Sequence, residues 1–412
     1  MTASPPMFPL DRSPAERMRL LAVKAENELK RRLLPFWTAL EDRGNGGHFS
    51  HVSPIGEIDR DAPRATVFVA RLLWTLSAVD RAAGSAEIRR QAEHTSQFLL
   101  TRSADKRFGG FFWSVTPAGR KHEPDKHLYA QAFAIFGLAA YARASGDPAA
   151  LRQALAAFRL AHAKMQAVGG ESFSRYWWAT PNRRLAEGPD IGLRSMNAHL
   201  HWLEALTELL VTSHAEDVRD ALEALLRLFL TSFIASEGTH SWSILDTSLR
   251  PVGKTISYGH DIEASWLLDA AADALGDREL ADATRLAASR LCRGALGGIM
   301  DDGSLANSGE AQGVTDRSRI WWVQAEAMTG LLNEYERSGD PTMLDRAEAL
   351  WRYIEAHILD RDGGEWFRRV APDGTPDRSL PRVDAWKDPY HQARACLHMM
   401  ERAARIAAAS SG

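Results

Sequence analysis

The tetrapeptide Ala144-Ser145-Gly146-Asp147 separates two segments that are rich in Ala, Leu and charged residues. Similar tetrapeptides recur along the chain as Ala82-Ala83-Gly84-Ser85, Ala274-Leu275-Gly276-Asp277, Arg337-Ser338-Gly339-Asp340 and, in a weaker form, Ser213-His214-Ala215-Glu216. The copies lie roughly 60–70 residues apart, and a fixed period of this kind indicates a repeated supersecondary unit. Gly followed by Asp is typical of a helix that ends on a left-handed residue, with the Asp capping the next helix. Each copy therefore predicts a junction between two helices.

The segments on both sides of these junctions have the apolar spacing of amphipathic helices, beginning with Ala15 to Leu40. The first helix of each later pair is predicted to start near Arg64, Lys126, Arg194, Tyr258, Arg319 or Pro389. Gly- and aromatic-rich stretches between the pairs, such as Gly109 to Trp113 and Gly363 to Phe367, predict short hairpins. About six helical hairpins closed into a ring form an (α/α)6 barrel, an all-α fold, here with short β-hairpins at one mouth. The alternative is an open solenoid, which would need polar capping repeats that neither end of the chain shows.

Composition sets broad limits on the class of protein. We expect residues 1–412 to form one catalytic domain, with residues 1–12 as a flexible tail. The formal net charge of −3 arises from mixed charges without a basic stripe, so nucleic acid is not an expected partner. The start of the chain lacks the order of a signal peptide, and no apolar run is long enough to cross a membrane. The two cysteines, Cys292 and Cys396, fit no zinc or redox spacing and indicate a cytoplasmic location.

Unusual residues stand near the predicted starts of the first helices of successive pairs. They are His201, His260, Trp321, Trp322 and His391. Because helix starts at one end of a barrel converge on one mouth, these repeat-equivalent positions predict a shared site. Indole rings at such a site suit a carbohydrate, since the apolar C–H faces of a sugar stack on them, although any single Trp also serves to fill a core.

Two His-x-x-Glu pairs, His201 with Glu204 and His260 with Glu263, each place an imidazole and a carboxylate on one helix face. One interpretation is a metal site, since helical bundles bind metals through Glu and His pairs, but here His precedes Glu. A second interpretation is that these are satisfied core histidines. A third, which we favour, is acid–base catalysis, because histidine takes and gives protons near neutral pH.

Two histidines on opposite walls, His260 and His391, would serve the two faces of a planar intermediate, as inversion at a carbon next to a carbonyl requires. One base removes the proton and the other delivers a proton to the opposite face. No hydride carrier is needed, and the sequence has no dinucleotide fingerprint and no P-loop. Helical barrels also host glycoside hydrolases, for which Glu263 and Glu326 are the candidate carboxylate pair. That alternative leaves the recurring histidines unexplained.

Six blocks of the chain, spread over about Leu33 to Met400, resemble the N-acylglucosamine 2-epimerase superfamily and, within it, the cellobiose 2-epimerase-like branch. The blocks are residues 70–75, 128–133, 197–204, 258–266, 321–326 and 386–391. The block Tyr258 to Trp266 is close to identical to that branch. The resemblance implies 2-epimerisation of a reducing-end glucose or mannose unit without a metal or nucleotide cofactor, by a monomer or a homodimer. Aldose–ketose isomerisation is the alternative activity on the same scaffold.

The resemblance also implies a role for each matching residue. His260 and His391 are the acid–base pair, and Arg71 and His201 stabilise a cis-enediolate, for which a permanently charged arginine is well suited. Rotation about the C2–C3 bond of the enediolate then brings its other face to the second histidine. The residues that bind or stack on the sugar are Tyr129, Asn197, Glu263, Trp321, Trp322, Trp386 and Glu326.

The chain departs from the family pattern at three positions. Asp388 and Gln392 replace the Cys and Asn of the family's last block, and Trp202 stands where smaller aliphatic residues are usual. These changes lie beside His391 and His201 in the sequence, and we interpret them as an altered rim of the site. On that ground we expect free D-mannose and D-glucose to be preferred slightly over β-1,4-linked disaccharides such as cellobiose.

Overall fold

The computed structural model describes residues 12–165, 176–177 and 193–409. Of the flexible tail expected at residues 1–12, only Arg12 lies within these ranges. The described part of the chain is predominantly helical, and none of its helices is long and apolar enough to cross a bilayer. Buried apolar side chains from these helices form one continuous hydrophobic core.

Twelve helices account for most of the described residues. Helix α1 runs over Pro14–Glu28, passes through a π-helical turn at Leu29–Leu33 and ends with Leu34–Thr38. The others are α2 Thr66–Ala83, α3 Ala86–Phe98, α4 Leu128–Ser145, α5 Pro148–Met165, α6 Met196–Ser213, α7 Glu216–Leu228, α8 Tyr258–Leu275, α9 Arg278–Ala295, α10 Trp321–Ser338, α11 Pro341–Tyr353 and α12 Tyr390–Ala409. The predicted starts of the first helices of the pairs therefore lie within two residues of the observed ones.

The even-numbered helices form the inner wall of a closed barrel. Each packs against the next inner helix in chain order, and α12 packs against α2, which completes the ring. The odd-numbered helices pack outside, α1 against α12 and each of the others against the inner helix that precedes it. This closed ring is the (α/α)6 barrel that the repeat predicts, and it excludes the open solenoid. Because consecutive helices are antiparallel, all six inner helices begin at the same mouth.

The recurring tetrapeptides end the inner helices as predicted. Their glycines, Gly84, Gly146, Gly276 and Gly339, have left-handed φ angles of 63°, 73°, 70° and 69°. His214 takes the same conformation, with φ 54°, in the weaker copy. The residue that follows then caps the outer helix, as where the Asp277 carboxylate accepts the backbone N–H of Leu280 at 2.9 Å. The left-handed residue ends the inner helix and the next residue caps the outer helix, which explains why the motif recurs between the two helices of each pair.

Short antiparallel strands surround the mouth where the inner helices begin. Five of the inner helices follow directly on a two-residue strand, and each of these strands pairs with a segment that follows the next outer helix. Local hairpins join Ser114–Val115 to Lys121–Glu123 and Ser308–Glu310 to Gly313–Asp316. The sequence predicts hairpins but not the pairing of strands from successive units. Two-residue strands are too short to show the alternating pattern by which a sequence reveals a strand.

Buried ion pairs fix the chain just before the inner helices. Arg64, fully buried, donates to Asp42 at 3.0 Å, and Lys126, also fully buried, donates to Asp105 at 2.9 Å. Each acid lies in the loop that follows an outer helix, so the pair ties the end of one unit to the start of an inner helix. The position of the helix starts, and of the side chains they carry, is set in part by these pairs.

Candidate active site

A cavity of about 650 Å³ opens at the mouth where the inner helices begin. Ten of the eleven residues that the sequence singles out line it, namely Arg71, Tyr129, Asn197, His201, His260, Glu263, Trp321, Trp322, Trp386 and His391. The eleventh, Glu326, lies behind His391 and contacts its ring. Residues that are up to 320 positions apart in the chain therefore meet at one site, as the repeat predicts.

The three cavity histidines are each held through the Nδ1 atom. His391 Nδ1 lies 2.6 Å from Glu326 Oε1, and His201 Nδ1 lies 2.9 Å from Glu204 Oε2. A carboxylate only accepts a hydrogen bond, so Nδ1 of both rings carries the proton and Nε2 of the neutral ring has a free lone pair. His260 Nδ1 contacts the hydroxyl of Ser257 at 2.8 Å, and a hydroxyl can donate as well as accept. Two of the three rings are thus set as bases, and the third can hold either tautomer.

The catalytic pair proposed from the sequence flanks a tryptophan. His260 stands on α8 and His391 on α12, and α10 lies between these helices in the ring. The ring of Trp322, at the start of α10, contacts both imidazoles, with centroid distances of 4.8 Å to His260 and 5.7 Å to His391. The expectation of opposite walls is therefore wrong in detail. Two inner helices that are two steps apart in a six-membered ring face the cavity at an angle, not across its diameter.

Burial makes the cavity histidines neutral. Removal from water lowers the pKa of His260 to about 4, and the neighbouring His201 lowers it further. Removal from water also lowers the pKa of His391 well below its usual value, with added contributions from the Arg71 and Arg394 guanidinium groups. The pKa of His201 is lowered by burial in the same way, against the effect of its Glu204 partner. A neutral imidazole is the form that accepts a proton.

Arg71 presents a fixed positive charge to the cavity. Its Nη1 donates to Asp388 Oδ2 at 3.2 Å, and its Nη2 donates to the Tyr129 hydroxyl at 2.8 Å. The guanidinium lies over the ring of Phe133, 4.2 Å from its centroid, and over that of Tyr390 at 4.9 Å. Burial alone would lower the pKa of this arginine, but its anionic and phenolic neighbours raise it, so the group stays charged. A charged donor held in this way suits a developing oxyanion.

Below the cavity floor, one arginine joins the carboxylates that support the histidines. Arg394, 1% exposed, donates through Nη2 to both Glu263 and Glu326 at 2.7 Å, and through Nη1 to Glu204. Tyr390 also donates its hydroxyl to Glu204. The two histidine–glutamate pairs therefore share a single cation. Sequence reasoning missed Arg394, although its position one helical turn after His391 on α12 was the available signal.

The same arginine bears on the metal interpretation. Glu263, Glu326 and His391 have potential ligand atoms within 4.8 Å of one another. The Arg394 guanidinium lies 2.7 Å from both carboxylates and so takes the place that a cation would occupy between them. Burial and the neighbouring Glu326 raise the pKa of Glu263 well above its usual value, which weakens this group as a metal ligand. The position of the Arg394 guanidinium between the two acids therefore argues against the metal interpretation.

Several polar atoms at the cavity lack a protein partner. The Asn197 side-chain oxygen, the Trp321 Nε1 and the Arg71 Nε are buried without a hydrogen bond. Buried polar groups are seldom left unpaired, so these atoms mark places where ligand hydroxyls would bind. At the rim, Trp386 is 44% exposed and lies 5.6 Å from the ring of Trp113. Free polar atoms below and exposed indole faces above are the arrangement that a sugar requires.

The three departures from the family pattern do not form the rim. Trp202 is fully buried and packs against Phe158, with a centroid distance of 6.1 Å, outside the cavity wall. Asp388 and Gln392 are also fully buried, and neither lines the cavity. Gln392 donates to Glu365 at 3.0 Å. The interpretation of an altered rim is therefore wrong, because in the fold all three side chains are buried and none of them lines the cavity.

Besides Trp386, six residues that the sequence did not single out line the cavity. They are Ile320, Arg368, Arg369, Leu380, Pro381 and Asp384. The last three belong to the loop that precedes α12, where no periodicity marks which residues face the opening. Arg368 forms an ion pair with Asp384 across this loop.

A second cavity, of about 820 Å³, opens at the opposite mouth, where the inner helices end. Of the residues singled out in the sequence as candidates for the site, only Glu204, the partner of His201, reaches this cavity among the described residues. Several arginines of this cavity pair with acids of its wall, as Arg143 does with Glu208 at 3.1 Å and Arg337 with Asp273 at 2.6 Å. Cations are favourable near helix C-termini, so these pairs have a structural explanation. We therefore assign the site to the smaller cavity.

Comparison with known proteins identifies the family and the fold. The sequence profile of the N-acylglucosamine 2-epimerase family matches residues 47–395. The chain is 34% identical to the cellobiose 2-epimerase of Ruminococcus albus over 391 residues, which are 94% of this chain and all of that protein. It superposes on the cellobiose 2-epimerase of Bacillus thermoamylovorans B4167 with a TM-score of 0.87 and 32% identity, over 93% of this chain and 100% of that chain. A D-mannose isomerase, at 19% identity and a TM-score of 0.81 over 96% of this chain and 99% of that chain, shares the fold.

Proposed function

The chain belongs to the N-acylglucosamine 2-epimerase family, and from this premise we propose that it inverts C2 of a reducing-end glucose or mannose unit through His260 and His391. The observation that carries the proposal is the convergence of both histidines on Trp322 at one cavity, next to the charged Arg71. Inversion at a carbon next to a carbonyl needs a base, an acid and an oxyanion stabiliser, and this cavity offers one of each.

The proposed reaction is a pair of proton transfers. In the open-chain sugar, one histidine takes the C2 proton through Nε2, and the electron pair moves to O1 to give a cis-enediolate. Arg71 and His201 stabilise the negative charge on this oxygen. Rotation about C2–C3 presents the other face, and the second histidine takes up a proton from solvent and delivers it to C2. The first histidine releases the original C2 proton to solvent, which restores both neutral rings, and neither a hydride carrier nor a metal takes part in this proposal.

The protonation states of the supporting groups fit these roles. Because the Glu326 carboxylate holds the Nδ1 proton of His391, the Nε2 of this ring is a base in the resting enzyme. Glu263 is the group best suited to donate to a sugar hydroxyl, since burial raises its pKa well above the usual value. Tyr129 also donates, because its oxygen accepts from Arg71 and burial raises its pKa to about 12.

The substrate class that we propose is a β-1,4-linked disaccharide with a reducing-end glucose, such as cellobiose. Relatives that are 34% identical to this chain over 94% and 93% of its length are named cellobiose 2-epimerases. The cavity of about 650 Å³ is within the usual range for ligands of this size, and the exposed Trp386 beside Trp113 offers a surface for the second ring. The preference for free D-mannose stays a prediction, but the altered rim that motivated it is absent among the described residues.

The hydrolase alternative fits the geometry less well. A glycosidase holds its two carboxyl groups on either side of the bond to be cleaved, at least ~5 Å apart. Here Glu263 and Glu326 are both 1% exposed, share the same nitrogen of Arg394, and have oxygen atoms within 4.8 Å of each other. Only Glu263 lines the cavity, whereas Glu326 lies behind His391, so the two carboxyl groups do not stand on opposite sides of a bond held in the cavity. Aldose–ketose isomerisation remains a side reaction of the proposed enediolate, through protonation at C1.

The experiment that tests the proposal is proton NMR of the enzyme in D2O with cellobiose, D-mannose and D-glucose in separate incubations. We expect the C2 epimer to form with deuterium at C2, fastest with cellobiose. Loss of the anomeric H1 signals of the aldose in favour of a ketose would identify an isomerase. Release of free glucose from cellobiose without C2 exchange would refute the epimerase and support the carboxylate pair. Activity that survives prolonged dialysis against a chelator would support the cofactor-free mechanism.

A further inference from the structure

Asp388 occupies a position in which it can act on the reaction only through Arg71. Its side chain is fully buried and does not line the cavity. Its Oδ2 accepts from Arg71 Nη1 at 3.2 Å, and its Oδ1 accepts the backbone N–H of Tyr390 at 3.0 Å, where α12 begins. One carboxylate thus links the start of the helix that carries His391 to the arginine of the oxyanion site.

The other contacts of Arg71 leave its orientation dependent on this carboxylate. The Tyr129 hydroxyl takes one Nη2 hydrogen, and Phe133 and Tyr390 pack on the guanidinium without forming hydrogen bonds. Asp388 is the one carboxylate within ion-pair distance of Arg71 in the described part of the chain. Without Asp388, the guanidinium could rotate about its Cδ–Nε bond between the rings of Phe133 and Tyr390.

We propose that Asp388 is a positioning residue of this enzyme, which orients Arg71 so that its remaining N–H groups face the enediolate oxygen. This inference rests on the proposed function. It also assigns a role to one of the positions at which the chain departs from its family, where a Cys is usual. A thiol is a weak hydrogen-bond acceptor, so the ion pair with Arg71 is a feature that Asp388 adds in this chain.

The neighbouring network shows how Asp388 itself is held. Gln392 donates to the Asp388 backbone oxygen at 2.9 Å and to the Glu365 carboxylate at 3.0 Å. Glu365 in turn lies 3.0 Å from Lys387 Nζ, and all three of these supporting side chains are buried. The second departure, Gln392, therefore supports the first. Gln392 thus holds the backbone of Asp388, while its carboxylate accepts from the Tyr390 N–H and from Arg71.

The test compares Asp388→Ala, Asp388→Asn and Asp388→Cys with the wild type, by C2 deuterium incorporation and by kcat and KM on cellobiose. We expect Asp388→Ala to lower kcat by about 10–100-fold with a change in KM of less than about 3-fold, since misplacement of a transition-state contact acts on kcat. Asp388→Asn keeps an oxygen that accepts from Arg71, and we expect it to recover most of the loss. Asp388→Cys, the residue usual in the family, is expected to fall between the two.

Glu348→Ala is the matched control, because Glu348 is buried, pairs with Arg17 at 2.8 Å in the outer layer and lies outside the cavity. It breaks the same kind of ion pair, and we expect its kcat to stay within about 2-fold of the wild type. A loss of kcat in Glu348→Ala equal to that in Asp388→Ala would overturn the inference. Unchanged kcat in a folded Asp388→Ala protein would overturn it as well, and would leave Asp388 as a helix cap.

A double-mutant cycle with Arg71→Lys separates positioning from general structure. If Asp388 acts through Arg71, Asp388→Ala changes kcat little in the Arg71→Lys background, so the two losses are strongly non-additive. Fully additive losses would overturn the inference. The wild type is assayed in the same series, and absence of C2 exchange there would reject the proposed epimerase itself. Exchange in the wild type with an unchanged Asp388→Ala would reject only the role of Asp388.

Discussion

The Nδ1 atom of His391 lies 2.6 Å from the Oε1 atom of Glu326, although the two residues are 65 positions apart in the chain. The contact joins α12 to α10, its neighbour in the inner ring. Glu326 is itself oriented, because its Oε2 accepts the indole N–H of Trp266 at 3.1 Å. The result is one tautomer and one orientation for the imidazole that we propose as a base.

Replacing this carboxylate tests the tautomer. In Glu326→Gln the amide keeps the shape but no longer favours a proton on Nδ1, so we expect kcat to fall by about 100-fold or more with a small change in KM. Steady-state kinetics on cellobiose measures both constants. Glu348→Gln is the control, because Glu348 is equally buried but pairs with Arg17 at 2.8 Å on the outer layer. Full activity in Glu326→Gln would show that the tautomer does not depend on this carboxylate.

Removal of either proposed base is expected to stop epimerisation. His260→Ala and His391→Ala each lack a group for one face of the enediolate, so inversion cannot be completed, while the helical circular dichroism stays unchanged. His199→Ala serves as the control. His199 is a buried histidine of α6 that contacts the Ser195 carbonyl at 2.7 Å and does not line the cavity. Near-native turnover in either of the first two variants would refute the two-base mechanism.

The depressed histidine pKa values predict an acid-tolerant enzyme. Because the pKa of His260 is lowered to about 4, its base form persists as pH falls through 6.5, the ordinary value for the unfolded chain. We expect the acid limb of kcat/KM for cellobiose to have its midpoint well below pH 6.5. A midpoint at or above 6.5, measured with the enzyme still folded, would contradict the assignment.

The lowered pKa of His260 also predicts that the free energy of unfolding falls as the pH is lowered. Between pH 6.5 and about 4 the unfolded chain binds a proton at position 260 that the folded protein does not bind. The stability that depends on neutral His260 is therefore fully present above pH 6.5 and is lost as pH falls toward 4. Urea unfolding at pH 7 and pH 5 measures this loss, and His260→Asn is expected to reduce the difference between the two.

The sequence predicts those parts of the fold and site that depend on local signals. Gly146 and its counterparts mark helix ends because only a left-handed residue closes the helix there, and the ring follows from their period. His201, His260 and His391 follow from their place at helix starts. Arg394 and Asp388 are different, because their roles exist only through contacts with residues on other helices.

The errors have physical reasons of the same kind. Sequence proximity of Trp202 to His201 suggested an altered rim, but adjacent residues on a helix point about 100° apart, and Trp202 faces the outer layer. The arrangement of His260 and His391 around Trp322 depends on which helices are neighbours in the closed ring. The repeat predicts the helices but does not by itself show that α12 closes the ring against α2. Rim residues such as Leu380 lie on a loop without periodicity.

The close approach of α4 to α2 provides a test of the barrel itself. A Cβ atom at Gly137 would lie 2.6 Å from the backbone oxygen of Ala70, so the two inner helices would have to move apart. Helix propensity alone predicts that Gly137→Ala stabilises the protein by about 1 kcal/mol. We predict the opposite sign, a destabilisation of about 1–3 kcal/mol from overpacking.

Gly297→Ala is the control for this prediction, since no atom lies within 4 Å of its added methyl group, and it is expected to be neutral or slightly stabilising. Urea unfolding followed by circular dichroism gives both values. Because Ala70 precedes Arg71, the displacement of α2 is also expected to lower kcat in Gly137→Ala. A Gly137→Ala variant as stable and as active as the wild type would contradict this prediction. It would mean that α2 and α4 pack less tightly than the contact between Gly137 and Ala70 implies, and that this contact does not determine the position of Arg71.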